Sequence, residues 1–150
     1  MMLKISKLKI INYKLFQNVI IEINDTMNIF VGENDSGKTT ILEALSMVLT
    51  GKIGGSNIAN RVNLDWFNTN VRKGFIEAIK AGNTPALPTI EIEAYFSAPD
   101  KDEISTKVYK GTNNSLHEDT EGVKVEILFD TQYSTVYKQL LSDGKIKDIP

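Results

Sequence analysis

Residues 32–39 decide the fold, and they read Gly32-Glu33-Asn34-Asp35-Ser36-Gly37-Lys38-Thr39. They match the pattern GxxxxGK[ST] at every fixed position. Before them, residues 28–31 (Asn-Ile-Phe-Val) are apolar without alternation, which predicts a strand buried on both faces. After them, apolar residues recur at helical spacing over 39–49. A strand, a glycine-bounded loop and a helix in this order predict a phosphate-binding loop.

Each fixed position of this loop has a chemical role in holding a nucleotide. Gly32 and Gly37 permit backbone conformations that side chains would block, so that N–H groups can turn towards phosphate oxygens. Lys38 brings an ammonium to the β- and γ-phosphates, and the Thr39 hydroxyl can ligate magnesium. The predicted cofactors are therefore ATP and Mg²⁺, with Thr39 as the metal ligand. The predicted binding residues in and beside the loop are Gly32, Glu33, Asn34, Asp35, Ser36, Gly37, Lys38, Thr39 and Thr40.

Composition bounds the class of protein. The chain has 150 residues, 41% of them hydrophobic, and 17 Lys and Arg against 19 Asp and Glu give a net charge of −2. These values are typical of one ordinary globular domain. Cysteine is absent and His117 is the single histidine, which excludes disulfides, thiolate metal sites and a multi-histidine zinc site. With neither a secretory signal nor a long apolar run in the sequence, we expect a cytoplasmic protein without membrane contact.

The pattern divides the chain into three parts. Residues 1–50 form a core of strand, phosphate loop and helix; residues 51–88 form a loop and a helix; residues 89–150 form antiparallel strands and a terminal helix. Alternating residues predict that strands 89–96 and 123–130 pair, each with one face in solvent. The other predicted elements are strands 3–11, 19–23 and 106–109, and helices 68–81 and 131–142.

The opening 45 residues resemble a known group of proteins. Besides the loop, the motifs that carry the resemblance are Asn12-Tyr13-Lys14, Phe16 and Ile41-Leu42-Glu43-Ala44-Leu45. They are similar to the N-terminal lobe of the ABC-type ATPases of the SMC and RecF group. The chain departs from the group at Asp35, where the group usually has glycine. Asp tolerates the left-handed backbone that such a position often needs, so the departure is small.

Within that group the chain looks most like the OLD-family (overcoming lysogenization defect) nucleases. The residues Asp65-Trp66-Phe67 and the segment 87–96 are also similar to the first lobe of that family. The resemblance implies an α/β fold: the N-terminal lobe of a P-loop NTPase of ABC ATPase type, with a mixed sheet, an antiparallel β arm and flanking helices. It also implies that Lys14 approaches the nucleotide phosphates.

The resemblance further implies partners and activities of a larger protein. ATPase heads of the family form a homodimer around ATP, the assembly acts on DNA, and a separate Toprim domain cuts it. A helicase or another anti-phage defence protein is a further partner by analogy. The function implied is that of an OLD-like ATP-dependent DNA endonuclease. Two alternatives stay open: a RecF-like or SMC-like repair ATPase without nuclease activity, and a nucleotide-sensing module that does not hydrolyse ATP.

Motifs for hydrolysis and DNA cleavage are not visible in this chain. The nearest Walker B candidate, residues 125–130, is interrupted by Glu126, and an alternating strand is the better interpretation. A signature motif and a Toprim acidic constellation are also absent from the sequence. We therefore expect an N-terminal portion of a larger protein, without catalytic residues of its own, that binds ATP with little or no turnover.

Several other side chains admit two interpretations. Trp66 and Phe67 are interpreted as core residues and not as base-stacking residues. His117 and the acidic residues Glu118, Asp119 and Glu121 are interpreted as solvated. Four lysines near the start of the sequence are its only concentration of basic residues, and they form either a DNA-facing patch or protection of an edge strand. They are Lys4, Lys7, Lys9 and Lys14.

Overall fold

The computed structural model describes residues 4–97, 110–111 and 114–148. The strands are β1 (Lys4–Tyr13), β2 (Phe16–Glu22), β3 (Lys52–Ile53), β4 (Ser56–Asn57), β5 (Ile90–Ser97), β6 (Lys110–Gly111) and β7 (Thr120–Ile127). The α-helices are α1 (Lys38–Thr50), α2 (Thr69–Lys80) and α3 (Ser134–Ser142), and short 3₁₀ turns lie at Ile58–Asn60, Leu64–Trp66 and Thr131–Tyr133. The predicted strand 106–109 lies outside the described residues.

The main sheet has the strand order β2-β1-β5-β7-β6, and every neighbouring pair in it is antiparallel. The predicted pairing of the strands at 89–96 and 123–130 is confirmed, with Ile92 opposite Val125. The predicted mixed sheet is wrong for the described residues, because none of their strand pairs is parallel. β3 and β4 form a separate two-stranded hairpin.

The predicted buried strand at 28–31 is also wrong for this chain. These residues have no regular secondary structure, and Met27, Ile29 and Val31 are 69%, 75% and 88% exposed. Phe30 alone packs against the core. A strand needs a neighbour for its backbone hydrogen bonds, and no strand in the described part of the chain lies beside this segment. Most of the apolar side chains in this segment are therefore exposed on the surface next to the phosphate loop.

Helix α1 lies on one face of the sheet and positions the loop. Leu8 and Ile10 of β1 and Ile92 of β5 form a buried cluster with Ala44 and Met47 of α1. The helix begins at Lys38, within the phosphate loop, and ends at Thr50, and the φ of 65° at its C-cap Gly51 lets the Gly51 N–H reach the Met47 carbonyl. The predicted core face of this helix needs one correction. Leu42 and Leu49 are 58% and 46% exposed, because the helix turns its 40-41-44-47-48 face to the sheet.

The opposite face of the sheet is wet as predicted along β7, where residues 124 and 126 are exposed, but the segment 114–118 covers part of the face on β5. Glu93 and Tyr95 are buried there. Glu93 accepts hydrogen bonds from the Tyr95 hydroxyl at 2.6 Å and from the Ser115 backbone N–H at 3.0 Å. Burial alone would raise the pKa of Glu93, but the hydrogen bonds from Ser115 and Tyr95 hold that pKa below its usual value. This part of the charged face predicted from alternation is thus a satisfied polar interior.

Helices α2 and α3 pack against each other at one side of this core. Phe75 and Ile79 of α2 contact the fully buried Leu141 of α3, and Arg72 forms an ion pair with Asp148. The predicted helices at 68–81 and 131–142 are confirmed, with Asn68 as the N-cap of α2 and a 3₁₀ turn before α3. In the described residues, no helix is long and apolar enough to cross a membrane.

Candidate functional site

An open pocket of about 490 Å³ lies where the β1–β2 turn faces the phosphate loop. The turn contributes Lys14 and Leu15, and the loop with the first turn of α1 contributes residues 34–40. The structure thus brings Lys14, predicted from the resemblance, to the same pocket as Asn34, Asp35, Ser36, Gly37, Lys38, Thr39 and Thr40. Gly32 and Glu33 do not line it, and they act through their carbonyl groups as described below.

Gly37 occupies a position that only glycine fits without strain. Its φ of 95° lies in the left-handed region, and a Cβ atom built on it would lie 2.7 Å from Cζ of Phe16. Gly32 is constrained differently: a Cβ there would collide with the Ser36 side chain. The close approach of Phe16 to Gly37 is what brings the β1–β2 turn to the loop.

Lys38 folds back over the loop. Its ammonium donates to the carbonyl oxygen of Glu33 at 2.6 Å, to that of Gly32 and, at 3.3 Å, to the Ser36 hydroxyl. These are weak, exposed acceptors that phosphate oxygens can replace with stronger, charge-assisted bonds. The ammonium is therefore held at the loop and stays available to a polyphosphate.

Thr39 and Thr40 differ in what they present to the pocket. Both lie in the first turn of α1 and line the pocket, but Thr39 is exposed whereas Thr40 is buried. In the described residues, no cluster of three acidic or histidine side chains could hold a metal ion by itself. One hydroxyl fits Mg²⁺ only if the ion arrives with phosphate and water oxygens, which is the way that magnesium usually binds beside a nucleotide. The residues present fit Mg·ATP in that limited sense.

Lys14 is held by two side chains. Its ammonium forms a short ion pair with Glu43 of α1 and lies 5.5 Å from the ring centroid of Tyr13. The Tyr13 hydroxyl donates to the same Glu43 oxygen at 3.1 Å. Tyr13 is fully buried, and burial together with the Glu43 charge raises the pKa of its hydroxyl. Glu43 lies in one of the motifs that carry the resemblance, but no pattern in the sequence predicted its contact with Lys14, which is 29 residues away.

The backbone of the β1–β2 turn is also pinned from outside. Asn12 and Lys14 have φ angles of 57° and 49°, which are uncommon for residues with side chains. The Lys14 N–H donates to the Trp66 carbonyl at 2.7 Å, and the Asn68 side chain donates to the Lys14 carbonyl at 2.8 Å. Asn68 also caps α2 through its side-chain oxygen. Sequence reasoning missed this role of Asn68, which has no local signature.

Asp35 adopts the conformation that its group usually gives to glycine, with a φ of 64°. We expect Asp35→Gly to raise the free energy of unfolding by about 0.5 kcal/mol, because relief of left-handed strain exceeds the entropy that glycine adds to the unfolded chain. Asp35→Ala keeps the strain and should lower that free energy. Urea unfolding of the three proteins measures both. A glycine variant less stable than the alanine variant would contradict the expectation.

The predicted basic patch is largely neutralised by neighbouring acids. Lys4 lies 3.7 Å from Asp25, Lys7 lies 2.7 Å from Glu118, and Lys14 pairs with Glu43. Lys9 is only 7% exposed. The edge-strand interpretation is wrong too, because β1 lies between β2 and β5. These lysines therefore form neither a free cationic surface nor a protected edge.

The remaining interpretations hold in the described residues. Trp66 and Phe67 are buried in the core, and His117 is exposed. The Walker B candidate is the end of antiparallel β7. Its last residue, Asp130, accepts a hydrogen bond from the Gln132 N–H at 2.9 Å and so begins a 3₁₀ turn.

A glycine-bounded loop opening a helix over a pocket with two lysines defines a P-loop NTPase. Residues 2–149 match the family described as the AAA ATPase domain. The chain therefore belongs to the AAA ATPase domain family.

Shorter similarities point in the same direction. The chain is 40% identical over 60 residues to the DNA replication and repair protein RecF of Glaesserella parasuis serovar 5, over 40% of this chain and 17% of that protein. It is 49% identical over 41 residues to RecF of Rickettsia canadensis, over 27% of this chain and 11% of that protein. It is 44% identical over 45 residues to RecF of Rickettsia akari, over 30% and 12%. The matched stretch thus spans less than a fifth of each relative.

Proposed function

We propose that this chain binds Mg·ATP in the pocket between the phosphate loop and the β1–β2 turn. The observation that carries the proposal is that Lys38 of the phosphate loop and Lys14 of the β1–β2 turn line the same pocket. The Lys38 ammonium and the N-terminus of α1 concentrate positive potential where phosphates would lie, and Lys14, whose charge Glu43 offsets, adds N–H donors. Thr39 supplies the protein hydroxyl for magnesium.

We further propose that the domain serves a DNA-acting ATPase of ABC type that dimerises through its ATPase heads. Similarity to proteins named for DNA replication and repair supports the DNA-acting part. In this proposal ATP controls the engagement of two heads on DNA, and the protein works in the cytoplasm. Neutralised lysines on β1 imply that DNA contacts come from other parts of the assembly.

Two forms of that proposal differ in what the rest of the protein does. An OLD-like DNA endonuclease, acting in anti-phage defence, rests on the resemblance of the phosphate loop and, with it, of residues 65–67 and 87–96. A RecF-like repair ATPase without nuclease activity is favoured by the short similarities to RecF proteins. Incubating the full-length protein with plasmid DNA, Mg²⁺ and ATP separates them. Cleavage supports the first form, and ATP-dependent DNA binding without cleavage supports the second.

Binding and turnover by the isolated chain test the nucleotide proposal. We expect a fluorescent ATP analogue to bind in the presence of Mg²⁺, and to bind more weakly after EDTA is added, because the ion neutralises phosphate charge beside Thr39. We expect phosphate release to stay at background, because Asp130 of the Walker B candidate caps a turn and does not line the pocket, where Asp35 of the loop is the one lining carboxylate. Absence of binding would overturn the proposal, and brisk turnover by the monomer would contradict its second part.

A further inference from the structure

The Lys14–Glu43 pair lies at the pocket and joins two elements that the proposed nucleotide would bridge. Lys14 belongs to the β1–β2 turn, and Glu43 lies on the helix that the phosphate loop begins. Their side chains are 31% and 24% exposed. An ion pair this accessible contributes little to folding stability, since water screens it and two long side chains lose rotamer freedom. Its geometry therefore calls for a role other than stability.

Every part of Lys14 is already fixed. Trp66 and Asn68 hold its backbone N–H and carbonyl, Tyr13 contacts its ammonium, and Glu43 accepts from that ammonium. Glu43 is itself fixed by the hydroxyl of the buried Tyr13. An ammonium has three N–H groups, so a bond to Glu43 leaves others for phosphate oxygens. A lysine ordered before binding loses less rotamer entropy when the ligand arrives.

We propose that Glu43 is a positioning residue of the nucleotide site, which holds the Lys14 ammonium at the pocket in readiness for the polyphosphate. This inference rests on the proposed function. Glu43 does not touch the nucleotide, and its negative charge acts on the ligand only through Lys14. The alternative, in which Glu43 competes with phosphate for Lys14, predicts the opposite sign for the variant below.

The test compares wild type, Glu43→Gln, Lys14→Ala and the double variant by titration with a fluorescent ATP analogue and Mg²⁺. Glutamine keeps a carbonyl acceptor for the Tyr13 hydroxyl, so the fold should persist, and urea unfolding checks this. We expect Glu43→Gln to weaken binding about fivefold and Lys14→Ala about tenfold, as loss of a charge-assisted bond predicts. The double variant should match Lys14→Ala within about twofold, because the two residues act as a unit.

A control variant and a phosphate series complete the experiment. Glu77→Gln makes the same charge change at an exposed position of α2 and should bind as wild type does. Across AMP, ADP and ATP, the loss caused by Glu43→Gln should follow the loss caused by Lys14→Ala, which a purely structural role would not reproduce.

Each outcome decides between the proposals. If nucleotide binding depends on Lys38 but Glu43→Gln leaves the affinity unchanged or raises it, the positioning role of Glu43 is overturned and the proposed function is not. The positioning role is also overturned if the fold-loss of affinity in the double variant equals the product of the two single losses. Wild-type protein that shows no Lys38-dependent binding overturns the proposed function together with this inference.

Discussion

Lys38→Ala should weaken the binding of Mg·ATP about 100-fold, the loss expected when a charge-assisted contact to phosphate disappears from the pocket. Lys38 is the cation whose ammonium lies at the loop itself, held by the carbonyl groups of Gly32 and Glu33. Alanine removes the charge, and no neighbouring side chain of the loop can replace it. Titration of the fluorescent ATP analogue at fixed Mg²⁺ measures the change.

Lys73→Ala is the matched control for Lys38→Ala. Lys73 is an exposed lysine of α2, away from the pocket-lining residues, so the same change in net charge should leave the affinity within about twofold of wild type. Urea unfolding should show that both variants are folded. Equal affinities for wild type and Lys38→Ala would contradict the assignment of this pocket to a nucleotide.

Gly37→Ala should lower the free energy of unfolding by about 3 kcal/mol, combining left-handed backbone strain with a steric clash. The added methyl group meets Cζ of Phe16 at 2.7 Å and Cδ2 of Leu15 at 3.1 Å. Phe16 packs against the core, so it cannot simply rotate away. Movement of the β1–β2 turn would also carry Lys14 away from the loop, and nucleotide affinity should fall with stability.

Gly51→Ala separates the two causes of that loss. Gly51 also has a positive φ, 65°, but a Cβ atom there would meet nothing within 4 Å. Gly51→Ala should therefore lower the free energy of unfolding by the backbone strain alone, about 1 kcal/mol, and leave nucleotide binding unchanged. Urea unfolding of both variants gives the steric part by difference. A Gly37 variant no less stable than the Gly51 variant would show that Phe16 does not pack closely against the loop.

Short-range rules predicted most of the elements correctly. Helix α1 follows from apolar spacing and from Gly51, and α2 follows from the spacing of its apolar residues. The pairing of β5 with β7 follows from matched alternation. The helices are decided by interactions within a few residues, and the strand pairing by the matched alternation of two distant segments, so the pattern of side chains carries the information.

The candidate site was predicted only in part. The loop residues follow from the motif, and Lys14 follows from the resemblance. Glu43, Tyr13 and Asn68 are equally involved in shaping the pocket wall, yet their contacts with the turn join residues far apart in sequence. No local pattern predicts such contacts, even for Tyr13 and Glu43, which lie in motifs that carry the resemblance, so these roles appear only when the elements pack.

What the sequence determined by itself is the phosphate loop: glycines where the backbone requires them, a lysine and a threonine where phosphate chemistry requires them, and a helix directly after. What only the tertiary structure decided is which apolar and charged residues are covered. The segment 28–31 reads as buried but lies exposed, because strand burial depends on a neighbouring strand. Glu93 reads as exposed but is buried, because a segment more than 20 residues away supplies the hydrogen bonds that make its burial favourable.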